Sequence, residues 1–148
     1  MSRLFPILSR VIAAWQAQDI PTVLSYMTDD IVWHYAAPAL PPVRGKRAAE
    51  KLLRNLQADM HDIQWRIFAH AEAGDRLFLE GVDEYTTADG KRMALPYAGV
   101  LEFRGEQIAG WRDYVDLGVL TDQKAGKPFS PQVNALLDRT ATTPAAVN

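Results

Sequence analysis

The chain has 148 residues, 48% of them hydrophobic, which is the size and composition of one domain with a real core. Its formal charge of −2, with lysine and arginine scattered, gives no footprint for nucleic acid. The lack of cysteine excludes disulfides, thiolate metal sites and cysteine nucleophiles. No uninterrupted apolar run has membrane-spanning length. The N-terminal stretch is broken by Pro6, Ser9 and Arg10, and it reads as an amphipathic helix rather than a leader. A cytoplasmic protein with neither a nucleic-acid nor a membrane partner is expected. His34, His61 and His70 have no recognisable ligand spacing, so neither a metal nor a cofactor is expected.

Leu4, Leu8, Val11, Ile12 and Trp15 recur at three- and four-residue steps and predict a first helix with one buried face. Asp19 followed by Pro21 predicts the start of a short second helix. Residues 31–36, rich in β-branched and aromatic side chains, predict a strand with Ile31, Trp33 and Tyr35 on one face and His34 on the other. The prolines at 38, 41 and 42 make the next segment a loop. Residues 46–57 predict a third helix, its stripe of Ala49, Leu52, Leu53 and Leu56 assigned to core packing. Alternation then predicts strands around Ile63 to His70, Leu77 to Tyr85, Arg92 to Phe103 and Gln107 to Asp116, joined by turns at Gly74, Gly90 and Gly105. Pro96 inside the third of these implies an edge position or a bulge. The order is three helices with one strand among them, then a four-strand meander. It predicts an α+β fold, a curved, mostly antiparallel sheet enclosing a cone with the three helices on its concave face. Residues 1–120 form this domain; 121–148 form an extension with a short helix begun by Ser130 and a last ten or so residues without order, placed over a cavity mouth or on a partner subunit.

Strand parity singles out two acids. Asp83 shares a face with Leu77, Leu79, Gly81 and Tyr85, and Asp113 shares one with Trp111 and Val115. A carboxylate on an apolar face must find a partner or hold its proton, so the two are a candidate acid/base pair. The competing reading pairs each acid with a nearby arginine, with Arg92, Arg104 and Arg112 available.

The run from Glu80 to Leu120 resembles the closing half of the limonene-epoxide-hydrolase family, within the SnoaL-like and NTF2-like superfamily. The resemblance rests on Val82-Asp83, on the strand Gly99 to Phe103 and above all on GWRDYVD at Gly110 to Asp116; Tyr35, Leu40 to Pro42 and Gly45 extend it to roughly residues 5–120. It implies an NTF2-like cone, a small apolar ligand and a homodimer through the outer sheet face, where Arg112 and Tyr114 would lie. It implies Asp113 as the base that activates water against an epoxide, Asp83 as the acid that protonates the departing oxygen, and Tyr35 as a hydroxyl holding the water. Trp33, Leu79, Gly81, Tyr97 and Trp111 are then candidate substrate-binding residues.

The chain departs from that pattern at two places, Gly81 where the family has an arginine and Ala37 where it has an asparagine. Without the cation the two acids are expected to share a proton, with one pKa raised and one depressed. An arginine returned at 81 is expected to reach both acids. Three functions stay open: epoxide opening, proton transfer next to a carbonyl as in ketosteroid-isomerase-like isomerases and cyclases, and binding without catalysis.

Overall fold

The computed structural model describes residues 2–142. Helices α1 (Phe5–Gln16) and α2 (Ile20–Ser25) lead into strand β1 (Met27–His34), and a short β2 (Val43–Arg44) precedes helix α3 (Lys46–Asp59). Strands β3 (His61–Ala73), β4 (Arg76–Thr86), β5 (Arg92–Arg104) and β6 (Gln107–Val115) follow, then helices α4 (Leu117–Lys124) and α5 (Pro131–Leu137). The six strands lie in the order β2-β1-β6-β5-β4-β3, antiparallel except for the β1–β6 pair. This is the α+β, NTF2-like cone, a curved open sheet with α1, α2 and α3 on its concave face. No described helix is long and apolar enough to cross a membrane.

Local chemistry explains where the helices begin. Asp19 accepts the Thr22 backbone N–H at 3.1 Å, Asp116 accepts those of Gly118 and Val119, and Ser130 accepts that of Val133. The first helix has no cap of its own at Leu4. Glu72, reaching over from β3, accepts the N–H groups of Leu4 at 2.8 Å and Phe5 at 3.2 Å as well as the Ser2 hydroxyl. Although partial burial opposes ionisation, these bonds bring the Glu72 carboxyl down to about 2.

The main core lies between the three helices and the concave face, with Leu8, Val11, Ile20 and Leu53 meeting Leu77, Leu101 and Ile108. A second, smaller cluster lies on the convex face, where Val133 of α5 covers Phe68, Val82 and Ala94. The C-terminal segment therefore packs on the back of its own sheet, away from the concave face. Arg139 pairs with Glu80 at 2.6 Å, and the Thr142 N–H donates to Ile67 O at 2.6 Å. Of the last ten or so residues, where the tail is expected to lose order, 143–148 lie outside the described residues.

Three local differences from the sequence reading have physical reasons. Strand β1 starts at Met27 and stops at His34, so Tyr35 falls in the turn leading to the cis Ala37–Pro38 bond. Strand β5 is central, not an edge; Pro96 is accommodated because β6 pairs with β5 only from Tyr97 onward. Helix α4 was not foreseen. It sets Gln123 against that unpaired flank, its amide donating to Ala94 O at 2.8 Å and accepting Ala94 N–H at 2.9 Å, as a strand neighbour would.

Candidate active site

Residues 77, 79, 81 and 83 of β4 point to the concave side, as do 111 and 113 of β6 and Tyr97 of β5, because side chains alternate along each strand. The register pairs Gly81 with Tyr97 and Gly99 with Asp113, which places Tyr97 on the strand between the two acids. The curl of the sheet brings Asp83 and Asp113 to the wall of one cavity of about 80 Å³, room for more than one water.

All four tryptophans of the chain, Trp15, Trp33, Trp65 and Trp111, line that cavity, together with aliphatic and methionine side chains from the helices. The Trp111 ring lies 5.7 Å from that of Trp33 and 5.6 Å from that of Trp65. Among the described residues, no lysine, arginine or histidine belongs to the wall. The arginines named as possible partners of the acids are engaged elsewhere. Arg66 and Arg92 both hold the buried Glu84, Arg112 holds Glu102 at 3.3 Å and Arg104 holds Asp30 at 3.1 Å.

Each aspartate keeps some accessible surface at the cavity it lines yet lies deep beneath the protein surface. Burial raises Asp83 to about 7. Burial, reinforced by repulsion from Asp83, raises Asp113 to about 8, against the opposing hydrogen bond that Trp111 Nε1–H donates to Asp113 Oδ1 at 3.0 Å. This corrects the expectation of one raised and one depressed group: with no cation nearby, desolvation acts on both. The repulsion is mutual, so the two titrate as a pair. Between the two values that pair carries on average one proton, held more on Asp113 than on Asp83, while the Trp111 bond offsets part of that preference.

Tyr97 occupies the place the missing arginine would need. Its hydroxyl accepts the indole N–H of Trp65, and burial together with the charge on Asp83 pushes its pKa well up. A Cβ added to Gly81 would stand 2.9 Å from the Tyr97 hydroxyl and only 2.1 Å from the backbone oxygen of Arg66, where a break in the β3–β4 register brings the strands close. The expectation that an arginine at 81 would reach both acids is therefore overturned, because even the first side-chain atom has no room.

Of the residues singled out in the sequence, Asp83, Asp113, Trp33 and Trp111 are in the cavity wall. Leu79, Gly81 and Tyr97 are buried beside it. Tyr35 is not in the wall; its ring meets Trp33 edge-on, with centroids 6.4 Å apart. Ala37 is tied to the site through its backbone, its N–H donating to Asp113 O at 2.9 Å. The sequence assigns the four tryptophans to core and pocket wall without singling out Trp15 and Trp65 as site residues, and it assigns Leu53 and Leu56 on the α3 stripe to packing alone. Periodicity marks such positions as inward-facing but does not separate a packed core from a cavity wall.

The comparisons agree with this architecture. A LEH-like epoxide hydrolase from M. tuberculosis is 25% identical, covering 80% of this chain and 86% of that one, with a TM-score of 0.69. A putative SnoaL-like polyketide cyclase from Shewanella putrefaciens is 15% identical over 86% of this chain and 99% of that one, with a TM-score of 0.77. A putative isomerase from Rhodopseudomonas palustris is 17% identical over 86% of this chain and 100% of that one, with a TM-score of 0.74. Residues 8–111, most of the chain, match the SnoaL-like domain family, and the protein belongs to it.

Proposed function

We propose that this protein is a cytoplasmic enzyme that opens a small, mainly apolar epoxide with an activated water. The observation that carries the reading is the confinement of Asp83 and Asp113, both raised toward neutral pH, in one tryptophan-walled cavity without a counter-cation. One proton on the pair supplies an acid and a base together. The reactive form is the one with the pair's proton moved to Asp83, which the Trp111 hydrogen bond to Asp113 assists; Asp113 is then the base and takes a proton from water as the water oxygen bonds to an epoxide carbon. The C–O bond breaks and the ring oxygen takes the proton of Asp83, leaving a diol; proton return from Asp113 to Asp83 resets the site. The likeness to the M. tuberculosis epoxide hydrolase supports this choice among the chemistries of the family.

Diol formation from a panel of small cyclic epoxides tests it. The parent protein should turn over at least one of them, and Asp83→Asn and Asp113→Asn should each lose about 100-fold or more in kcat/KM. Full activity in either variant would remove that aspartate from the mechanism. A second reading is favoured by Tyr97. Its hydroxyl oxygen is already an acceptor for Trp65, so its own O–H is left to donate, and a phenol beside an aspartate suits proton transfer next to a carbonyl. Exchange of α-deuterium from small ketones without any diol formation would select that reading.

The protein is also proposed to pair as a homodimer through the convex sheet face that α5 leaves open. Tyr114 there is 48% exposed and Phe78 40% exposed. Sedimentation equilibrium showing only monomer at micromolar concentration would contradict this.

A further inference from the structure

The cavity combines two features: a lining of four indole rings and two carboxyl groups with no basic partner in the wall. Neutral apolar walls alone would suit a hydrocarbon, and an acid pair alone would suit any polar group. Together they suit a cation clothed in carbon. Aromatic faces carry negative charge on their π-clouds and attract cations that shed water easily, and they do so best for tryptophan.

The chain itself does not provide the cation. Arg66 and Arg92 are held by Glu84, Arg112 by Glu102 and Arg104 by Asp30, and the position where a cation could have been built in, Gly81, has no room for a side chain. The other ionisable groups whose fields reach this end of the sheet are Tyr85, Tyr97 and Asp59, which are phenols and an acid. The phenols are uncharged near neutral pH, so the aspartate pair is the charge on the cavity wall.

We propose that the cavity takes a ligand bearing a small methylated ammonium group, tertiary or quaternary, seated against the tryptophan wall and facing Asp83 and Asp113. The proposal rests on the cavity being the ligand site of the acid/base reading, and it names the chemical class of that ligand. A primary ammonium fits less well, because its several N–H donors and tight hydration are poorly matched to a wall that is mostly apolar. The charges also agree. An aspartate pair that carries one proton has a net charge of −1, so a monocation neutralises it while leaving one acid and one base in place.

Tryptophan fluorescence of the full chain reads the test directly, since every tryptophan lines the cavity. Tetramethylammonium chloride is titrated against tert-butanol, a neutral probe of similar shape, with sodium chloride matching the ionic strength. The expected result is a saturable change with tetramethylammonium at least tenfold tighter than with tert-butanol, weakened tenfold or more in both Asp83→Asn and Asp113→Asn. Equal or tighter binding of tert-butanol would overturn the proposal and leave the acid/base reading standing. Failure of tetramethylammonium to saturate in the millimolar range would also overturn it, as would binding unchanged in both variants. Separate measurement of epoxide turnover keeps the fate of the acid/base reading distinct from this one.

Discussion

The α-carbon of Gly81 faces the backbone oxygen of Arg66 so closely that a Cβ would stand 2.1 Å from it. The obstacle is backbone in the neighbouring strand, so it cannot swing aside as a side-chain tip would. Gly81→Ala should therefore destabilise the fold by about 3 kcal/mol, the upper end of what overpacking costs. A fall in the urea midpoint at unchanged m checks this; a loss below about 1 kcal/mol would show that the β3–β4 pairing relaxes freely. Gly81→Arg should fail to give a folded protein, so the arginine of the resembling family cannot be restored by a single exchange.

Gly81 also shows where reading the chain reaches its end. Alternation has a period of exactly two, so parity alone placed Asp83 and Asp113 on the core side of their strands. It also placed Trp111 and Trp33 there. A glycine on that same face reads as empty space, and only three dimensions reveal that a carbonyl and the Tyr97 ring have taken it. Tyr35 slipped for a different reason: strand propensity runs through it, but the backbone turns at the end of β1 toward the cis Ala37–Pro38 bond. Helix α4 was hidden because it has no clear apolar stripe; what places it is the Asp116 cap and the amide of Gln123, both of which act locally or through tertiary contact.

Gln123 gives a second prediction. Its side chain satisfies both backbone groups of Ala94 where the sheet has run out of strand. Gln123→Ala would leave a buried donor and a buried acceptor without partners, at a cost of about 2 kcal/mol. Thermal unfolding should show the loss, and amide exchange at Ala94 should become much faster. Unchanged exchange there would mean that the flank is covered by something other than Gln123.

A third prediction concerns stability against pH. Asp83 and Asp113 have folded-state pKa values of about 7 and about 8, raised from 3.8. The folded protein therefore holds protons that the unfolded chain has released. Their contribution to stability is fully present below about pH 4 and is lost as pH rises through the folded values. At pH 9 the parent carries two buried carboxylates, and Asp83→Asn should be more stable than the parent by more than about 1.4 kcal/mol, with the advantage vanishing near pH 4. Denaturant unfolding at the two pH values is sufficient; an Asn variant less stable than the parent at pH 9 would show that the charge is compensated.

The central claim is that two aspartates without a cation share a proton inside the tryptophan-walled cavity. The most direct measurement follows the carboxyl carbon resonances of Asp83 and Asp113 by NMR from pH 3 to pH 10. The account predicts that both titrate far above 3.8, near 7 and 8, with each resonance showing two steps, and that Asp113→Asn leaves Asp83 with a single, lower step. A single independent step near 3.8 for either carboxyl would contradict it.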